Sequence, residues 1–420
     1  MKKLLSCLVS IGVLASIMTS FGASSAFNPN IDPNDDGCLA NSDPACFKIS
    51  NINELDVDDN GVVSVENNRI KKVIQDFFDD YEYRIDNADL EGMQYDKYFS
   101  SKKGNKTTLN IALIDTMLYQ NILSKTNHYS GQRIRELNKS ITYNYTNITK
   151  NTDAALIDMY IYKTFNYNIC PSIESATMDR YLVKMVLENG EWKIEFIDNF
   201  ISEDILYSLK GQGVDLDDII SINKYKESIL SNIIKYNEDK KNESSITAIQ
   251  SRSSNYNANN AVAYANTYVF SPNPNYFNIE GIGGDCTNFA SQVLNEGGGI
   301  PEHFGYHGYN NCWFYTSSSN RSTSWAGADY LYDYMHSNNS MINFNDSNWS
   351  SVTRGDLIQV TYDGVNMGHS MIVTSIVYSS SGRADLLVTY RSTTNNHKKD
   401  ILLSTRGSED QRFMHILGGV

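Results

Sequence analysis

Residues 283–292 read Gly283-Gly284-Asp285-Cys286-Thr287-Asn288-Phe289-Ala290-Ser291-Gln292, and the rest of the chain is best read outward from them. Two glycines free the backbone just before a cysteine, and the residues behind it open a helix with Phe289, Val293 and Leu294 turned inward. A cysteine at a helix N-terminus meets the positive end of the helix dipole and unpaired N–H groups, both of which favour thiolate over thiol. The same amides can hold a developing oxyanion. A buried structural cysteine fits poorly beside Gly-Gly-Asp and polar neighbours. Cys286 is therefore the candidate nucleophile, since the thiolate is the species that attacks.

A thiolate nucleophile needs a base, and His369 is the best placed of the seven histidines. The stretch 355–360 reads as a strand, Asp363-Gly364 as a turn and 368–373 as the next strand, so His369 stands at a strand entrance beside a small residue. The other histidines have ordinary readings. His128 lies in the N-terminal part, His336 in a helix with Tyr332 and Tyr334, His397 in a polar turn and His415 near the end. His303, His307 and Cys312 sketch a zinc site but lack a fourth ligand at matching spacing.

At these residues the chain resembles the amidase domain family of secreted bacterial proteins, a branch of the papain-like cysteine hydrolases related to cell-wall peptidases of the NlpC type. The resemblance rests on GGDCTNFASQ, Trp325 ahead of a Tyr-rich helix, GDLIQV and GHSMIV, and covers about residues 256–420. It implies Cys286 as nucleophile and His369 as base, on a helix packed against an antiparallel sheet. It also implies a polar residue on the strand after the histidine, here 384–389 running into 390–396, to orient the imidazole. Family members carry His-Thr-Asn near there; this chain has Thr393-Thr394-Asn395, so the histidine is missing and Asn395 is the candidate orienter, or a turn residue. The implied activity is hydrolysis of amide bonds through a thioester, on a peptide or peptidoglycan substrate and with no cofactor in the catalysis. Tyr306, Tyr309, Trp313, Tyr315 and Trp325 are candidate groove residues for peptide or sugar. A protein-cleaving or transamidating enzyme and a non-catalytic adhesion module, with Cys286 bridged to Cys312, are the competing readings.

N-terminal to this domain (255–420), residues 237–254 are rich in Lys, Asn, Glu and Ser and read as a flexible linker. A helical connector (201–236) precedes it. Residues 69–200 carry a helix over 70–81, another over 109–123, then strands over 141–148, 155–167, 178–188 and 192–197. Asn189-Gly190 joins the last two as a hairpin signal. Helices followed by an antiparallel meander make this an α+β unit, similar in element order to the cone-shaped cystatin-like and nuclear-transport-factor-like domains. Residues 27–68 are rich in Asp and Asn. There Asp56, Asp58 and Asn60, and 24 residues earlier Asp32, Asn34 and Asp36, follow the rhythm of calcium loops, each ahead of a glycine; an acidic linker is the plain alternative. Paired calcium loops of this kind resemble dockerin-like modules.

Residues 1–26 read as a secretory signal, with Lys2 and Lys3, an apolar run from Leu4 to Phe21 and Ala23-Ser24-Ser25-Ala26 for cleavage. The protein is thus expected to be secreted, extracellular or wall-associated, with no membrane contact after cleavage. Cleavage takes the formal charge from −14 to −16 by removing two lysines and no acid. Such a charge excludes nucleic acid as a main partner, because phosphate binding needs a basic stripe. Five cysteines remain, an odd number, so at least one thiol stays unpaired in an oxidising exterior.

Overall fold

The computed structural model describes residues 65–102, 104–200, 203–242, 251–253, 255–280, 284–380, 382–392, 396–406 and 410–419. The calcium-loop residues Asp32, Asn34, Asp36, Asp56, Asp58 and Asn60, the signal and Asn395 lie outside them. Helix α1 (Val65–Asn87) buries Ile70, Ile74, Phe77, Phe78, Tyr81 and Ile85, a stripe at spacings of three and four that fixes one face against the core. It runs a turn or more beyond the expected 70–81 at both ends. Helix α2 (Asn105–Thr126) packs beside it. Four long antiparallel strands then meander: β1 (Glu136–Lys150), β2 (Ala154–Tyr167), β3 (Glu174–Glu188) and β4 (Glu191–Asp198). The β3–β4 turn has both central residues in the left-handed region, Asn189 at φ 53° and Gly190 at φ 83°. That pair of angles is what an Asn-Gly hairpin turn supplies.

Helices α3 (Glu203–Gly211) and α4 (Ile219–Asn242) follow. α4 lays Ile222, Ile229 and Ile233 on the α2 residues Leu109, Met117 and Leu123. Its last turns occupy 237–242, the start of the stretch that composition assigns to the linker.

The C-terminal part begins with α5 (Ala258–Tyr268), capped by the Asn257 side chain accepting from the Asn260 N–H. Next come α6 (Cys286–Gln292), a small hairpin of β5 (Tyr315–Ser317) and β6 (Asn320–Arg321), and α7 (Ala328–Met335). Six strands complete it: β7 (Ile342–Ser347), β8 (Leu357–Thr361), β9 (Met367–Ser379), β10 (Gly382–Tyr390), β11 (His397–Leu402) and β12 (Asp410–Gly419). Strands β8, β9 and β10 are the ones the sequence outlines. On one face of this sheet Leu357, Ile372, Met414 and Ile416 pack with Phe289, Trp313 and Trp325. On the other, Ile358, Val360, Met371, Val373 and Val388 pack with Trp349 and Phe413.

The sheets of the two parts are one. Among the described residues a ten-stranded sheet runs β1-β2-β3-β11-β10-β9-β8-β12-β7, with β4 also on β3. One edge of β3 serves two partners: Leu182–Glu188 pair with β4, while Ala176, Thr177 and Met178 pair with Lys399, Lys398 and His397 of β11. Polar contacts stitch this seam. Lys398 Nζ lies 2.5 Å from Asp179, His128 Nε2 lies 3.0 Å from Asp385, and the Ser175 hydroxyl donates to the Asp400 carbonyl at 2.6 Å. The architecture is mixed α+β on an antiparallel sheet. Among the described residues no helix is long and apolar enough to cross a membrane.

Candidate active site

Cys286 is the first residue of α6, preceded by Gly284 at φ +95°, a backbone angle that explains the glycine. The helix continues beyond Gln292 as one wide turn, Val293–Gly297. Every polar residue of the motif has a structural task. The Thr287 hydroxyl lies 2.9 Å from that of Ser370 on β9, and Asn288 accepts from the Trp325 indole at 3.0 Å while donating to Asp285 at 2.7 Å. Ser291 donates to the Trp325 carbonyl and accepts from the Trp313 indole at 3.0 Å, and Gln292 accepts from Tyr264 at 3.0 Å. Trp313 and Trp325 are therefore fully buried buttresses of α6. They cannot line a groove, as the sequence suggested, because their rings are consumed in the core. Tyr315 is half-buried, and Tyr306 and Tyr309 are exposed on the loop.

Cys286 is buried, with its Sγ 3.7 Å from the Thr287 hydroxyl. Cys170, Cys286 and Cys312 are thiols rather than members of a disulfide. Burial pushes the Cys170 thiol up to about 12 and raises that of Cys312, so neither suits a thiolate role.

His369 lies near the start of β9, buried, opposite Val360 of β8. The β8–β9 register slips between His369 and Met367, a bulge that re-aims the chain at this point. A Cβ on Gly368 would run into the Tyr362 ring, so any larger residue beside the histidine has to displace that ring. The imidazole stands edge-on to Tyr390 at 4.7 Å between ring centroids. The Thr287–Ser370 hydrogen bond thus joins the residue after Cys286 to the residue after His369.

The remaining histidines take structural partners. His128 bridges Ser130 and Asp385, and His415 Nδ1 lies 2.8 Å from Asp356. His336 contacts the Tyr332 carbonyl and Asp346. Of the sketched zinc trio, His303 meets Tyr334, His307 the Arg321 carbonyl and Cys312 the carbonyls of Tyr306 and Tyr309.

His397 is not in a polar turn, as its neighbours suggest: it opens β11, buried, with Nε2 3.2 Å from Glu280. It belongs to a network that sequence reasoning missed. Arg391 donates from Nε to Asp285 at 2.7 Å, from Nη1 to the carbonyls of Tyr268 and Val269, and from Nη2 to Glu280. Burial raises the Glu280 carboxyl, but His397 and Arg391 outweigh it and hold it below its usual range. At Asp285 burial wins over Arg391 and Asn288, and Glu280's charge adds to it, so this carboxyl is raised. Burial, then Arg391, lower the His397 imidazole against the pull of Glu280.

Residues 255–416 match the model of the family described as "Putative amidase domain". No curated protein and no solved structure gives a significant match to the chain. The match marks this C-terminal stretch as similar to an amidase domain, which suggests a hydrolase acting on C–N bonds.

Proposed function

We propose that residues 255–416 form a papain-like cysteine amidase in which Cys286 attacks an amide carbonyl and His369 serves as its base. The observation that carries this reading is the Thr287–Ser370 hydrogen bond, 2.9 Å between hydroxyl oxygens, which locks the first turn of α6 to β9, the strand that carries His369 near its start. In the reaction His369 takes the thiol proton, the thiolate adds to the carbonyl carbon, and backbone amides near Cys286 hold the oxyanion. The tetrahedral species collapses with cleavage of the C–N bond as His369 protonates the leaving amine, and water then hydrolyses the thioester. Asn395 is the proposed orienter of the imidazole. The substrate class is a peptide amide, in cell-wall peptides if the leader reading of residues 1–26 holds. The N-terminal α+β half, read as a cystatin-like or nuclear-transport-factor-like cone, serves as its support. The acidic segment 27–68 is proposed to hold calcium. An unchanged melting temperature between calcium and chelator removes that claim.

The pairing is tested by alkylating the mature protein across pH 5 to 9 with a thiol probe, beside His369→Ala. Selective labelling of Cys286 at low pH, shifted upward in the variant, is the expected result. Labelling indifferent to His369 overturns the pair.

A further inference from the structure

We propose that Arg391 is the positioning residue of the nucleophile turn, and that the buried set Glu280, Asp285, Arg391 and His397 clamps this turn to the end of β10 and the start of β11. The inference rests on the reading of Cys286 as nucleophile and deepens it.

Asp285, immediately before Cys286, is tied in three directions. Its Oδ1 accepts from the Ile279 N–H at 3.3 Å and from Asn288 Nδ2 at 2.7 Å, and its Oδ2 accepts from Arg391 Nε at 2.7 Å. Its main-chain carbonyl accepts from the Phe289 N–H at 2.8 Å, in the first turn of α6. One carboxylate therefore spans the incoming loop, the helix and the strand end, around a turn that already needs Gly284 at positive φ.

Arg391 meets that carboxylate with a planar fork of donors whose other arms are all engaged, on two carbonyls at the C-terminal end of α5 and on Glu280. A lysine carries the charge but cannot reproduce these directions. His397 completes the arrangement from the far side. Arg391 follows β10 and His397 opens β11, so the end of one strand and the start of the next are both tied to Asp285 and Glu280, which precede Cys286. All four side chains are at least nine-tenths buried, so no water replaces a lost arm. The clamp thereby sets where the thiol stands relative to β9 and to the end of β10. A role in stability alone would leave the protonation of Cys286 untouched; a positioning role would not, since the thiolate depends on its place beside the base.

The test measures Cys286 alkylation by iodoacetamide from pH 5 to 9 in the full mature chain, in wild type, Arg391→Lys, Asp285→Asn and the double variant, with circular dichroism to verify folding. We expect labelling at pH 6 to slow by at least tenfold in Arg391→Lys while the plateau at pH 9 stays within about twofold, because the thiolate itself is unaltered. Asp285→Asn keeps the side-chain size but sets an amide donor against a donor. It should give the same shift, and the double variant should add little to either single change. If Arg391→Lys does not fold, Asp285→Asn carries the test alone. A pH midpoint unchanged in the folded variants, with wild-type Cys286 reactive at low pH and dependent on His369, overturns the clamp and leaves the catalytic reading intact. Wild-type Cys286 unreactive at low pH removes both.

Discussion

In the N-terminal half, Glu82 and Glu136 share three lysines: Lys163 reaches both at about 3 Å, Lys125 lies 2.6 Å from Glu136, and Lys139 lies 2.7 Å from Glu82 and 3.4 Å from Glu136. In the C-terminal half, Asp285 and Glu280 share the single Arg391, and only Glu280 has His397 besides. The first network lines a cavity of about 240 Å³ among tyrosines and phenylalanines between α1, α2 and the sheet. The second has no comparable space and spends its hydrogen bonds on backbone carbonyls and the turn before Cys286. Redundant partners make a network that tolerates the loss of one member. A network with one cation makes each member irreplaceable, and such an arrangement belongs where a turn must be held in one place.

That contrast is broken most directly by Arg391→Met. It removes the cation that pairs with Asp285 and leaves two buried carboxylates beside a lowered His397. We expect a loss of about 3–5 kcal/mol, read by urea denaturation. Lys163→Met in the other network should cost at most about 2 kcal/mol, because Lys139 remains on both glutamates and Lys125 on Glu136. Equal losses from the two substitutions would remove the distinction.

Gly368→Ala sharpens the comparison from the side of the base. The added methyl must displace the Tyr362 ring or the bulge before His369, at about 1–3 kcal/mol. Tyr362→Ala in the same chain should restore most of that stability. If it does not, the bulge itself rather than the ring demands the glycine.

Acid sets Asp285 apart from the other buried carboxyls by sign. Burial raises Glu82 and Glu136, but the lysines outweigh it and hold both below the ordinary value of 4.5. Carboxyls depressed on folding add stability that is present above about pH 4.5 and is lost as pH falls through their lower folded values. Asp285 is raised instead, so its ionised form is the one that folding disfavours, and that penalty fades as pH falls through the raised value. Glu280 is depressed like Glu82 and Glu136 and His397 is lowered, so acid weakens this network too and Asp285 offsets only part of the loss. Amide protection over α1, β1 and β2 should therefore fall between pH 5 and 3 by more than that over 284–292. Simultaneous loss would show that one network does not outlast the other.

Local pattern carried much of this structure. The apolar stripe of α1, the Asn189-Gly190 turn and strands β8 to β10 announce themselves because each follows from side-chain periodicity or turn chemistry within a dozen residues. Cys286 at the head of a helix and His369 at a strand entrance are legible for the same reason. Arg391 and His397 were not. Arg391 looks like the polar end of a strand, and His397 sits in an Asn- and Lys-rich run. What could have flagged them is a lone cation following the apolar run Leu386-Leu387-Val388-Thr389-Tyr390, since a charge at the end of a buried strand needs a partner and Asp285 beside the cysteine needs one too. Nor could the sequence show that two apparently separate parts share one sheet, because pairing between distant strands leaves no local signature.

The β3–β11 seam has a consequence for the birth of the chain. Asp179 and Lys398, which meet across it, stand 219 residues apart. When the first half leaves the ribosome, the edge of β3 at 176–178 has no partner and must wait for more than half the chain to be made. Closing so long a loop is slow, and an unsatisfied strand edge is a template for a neighbouring copy. Early association between nascent chains, rather than any weakness of the finished core, is then the step at which production of this protein should fail, and slower synthesis at lower temperature should relieve it.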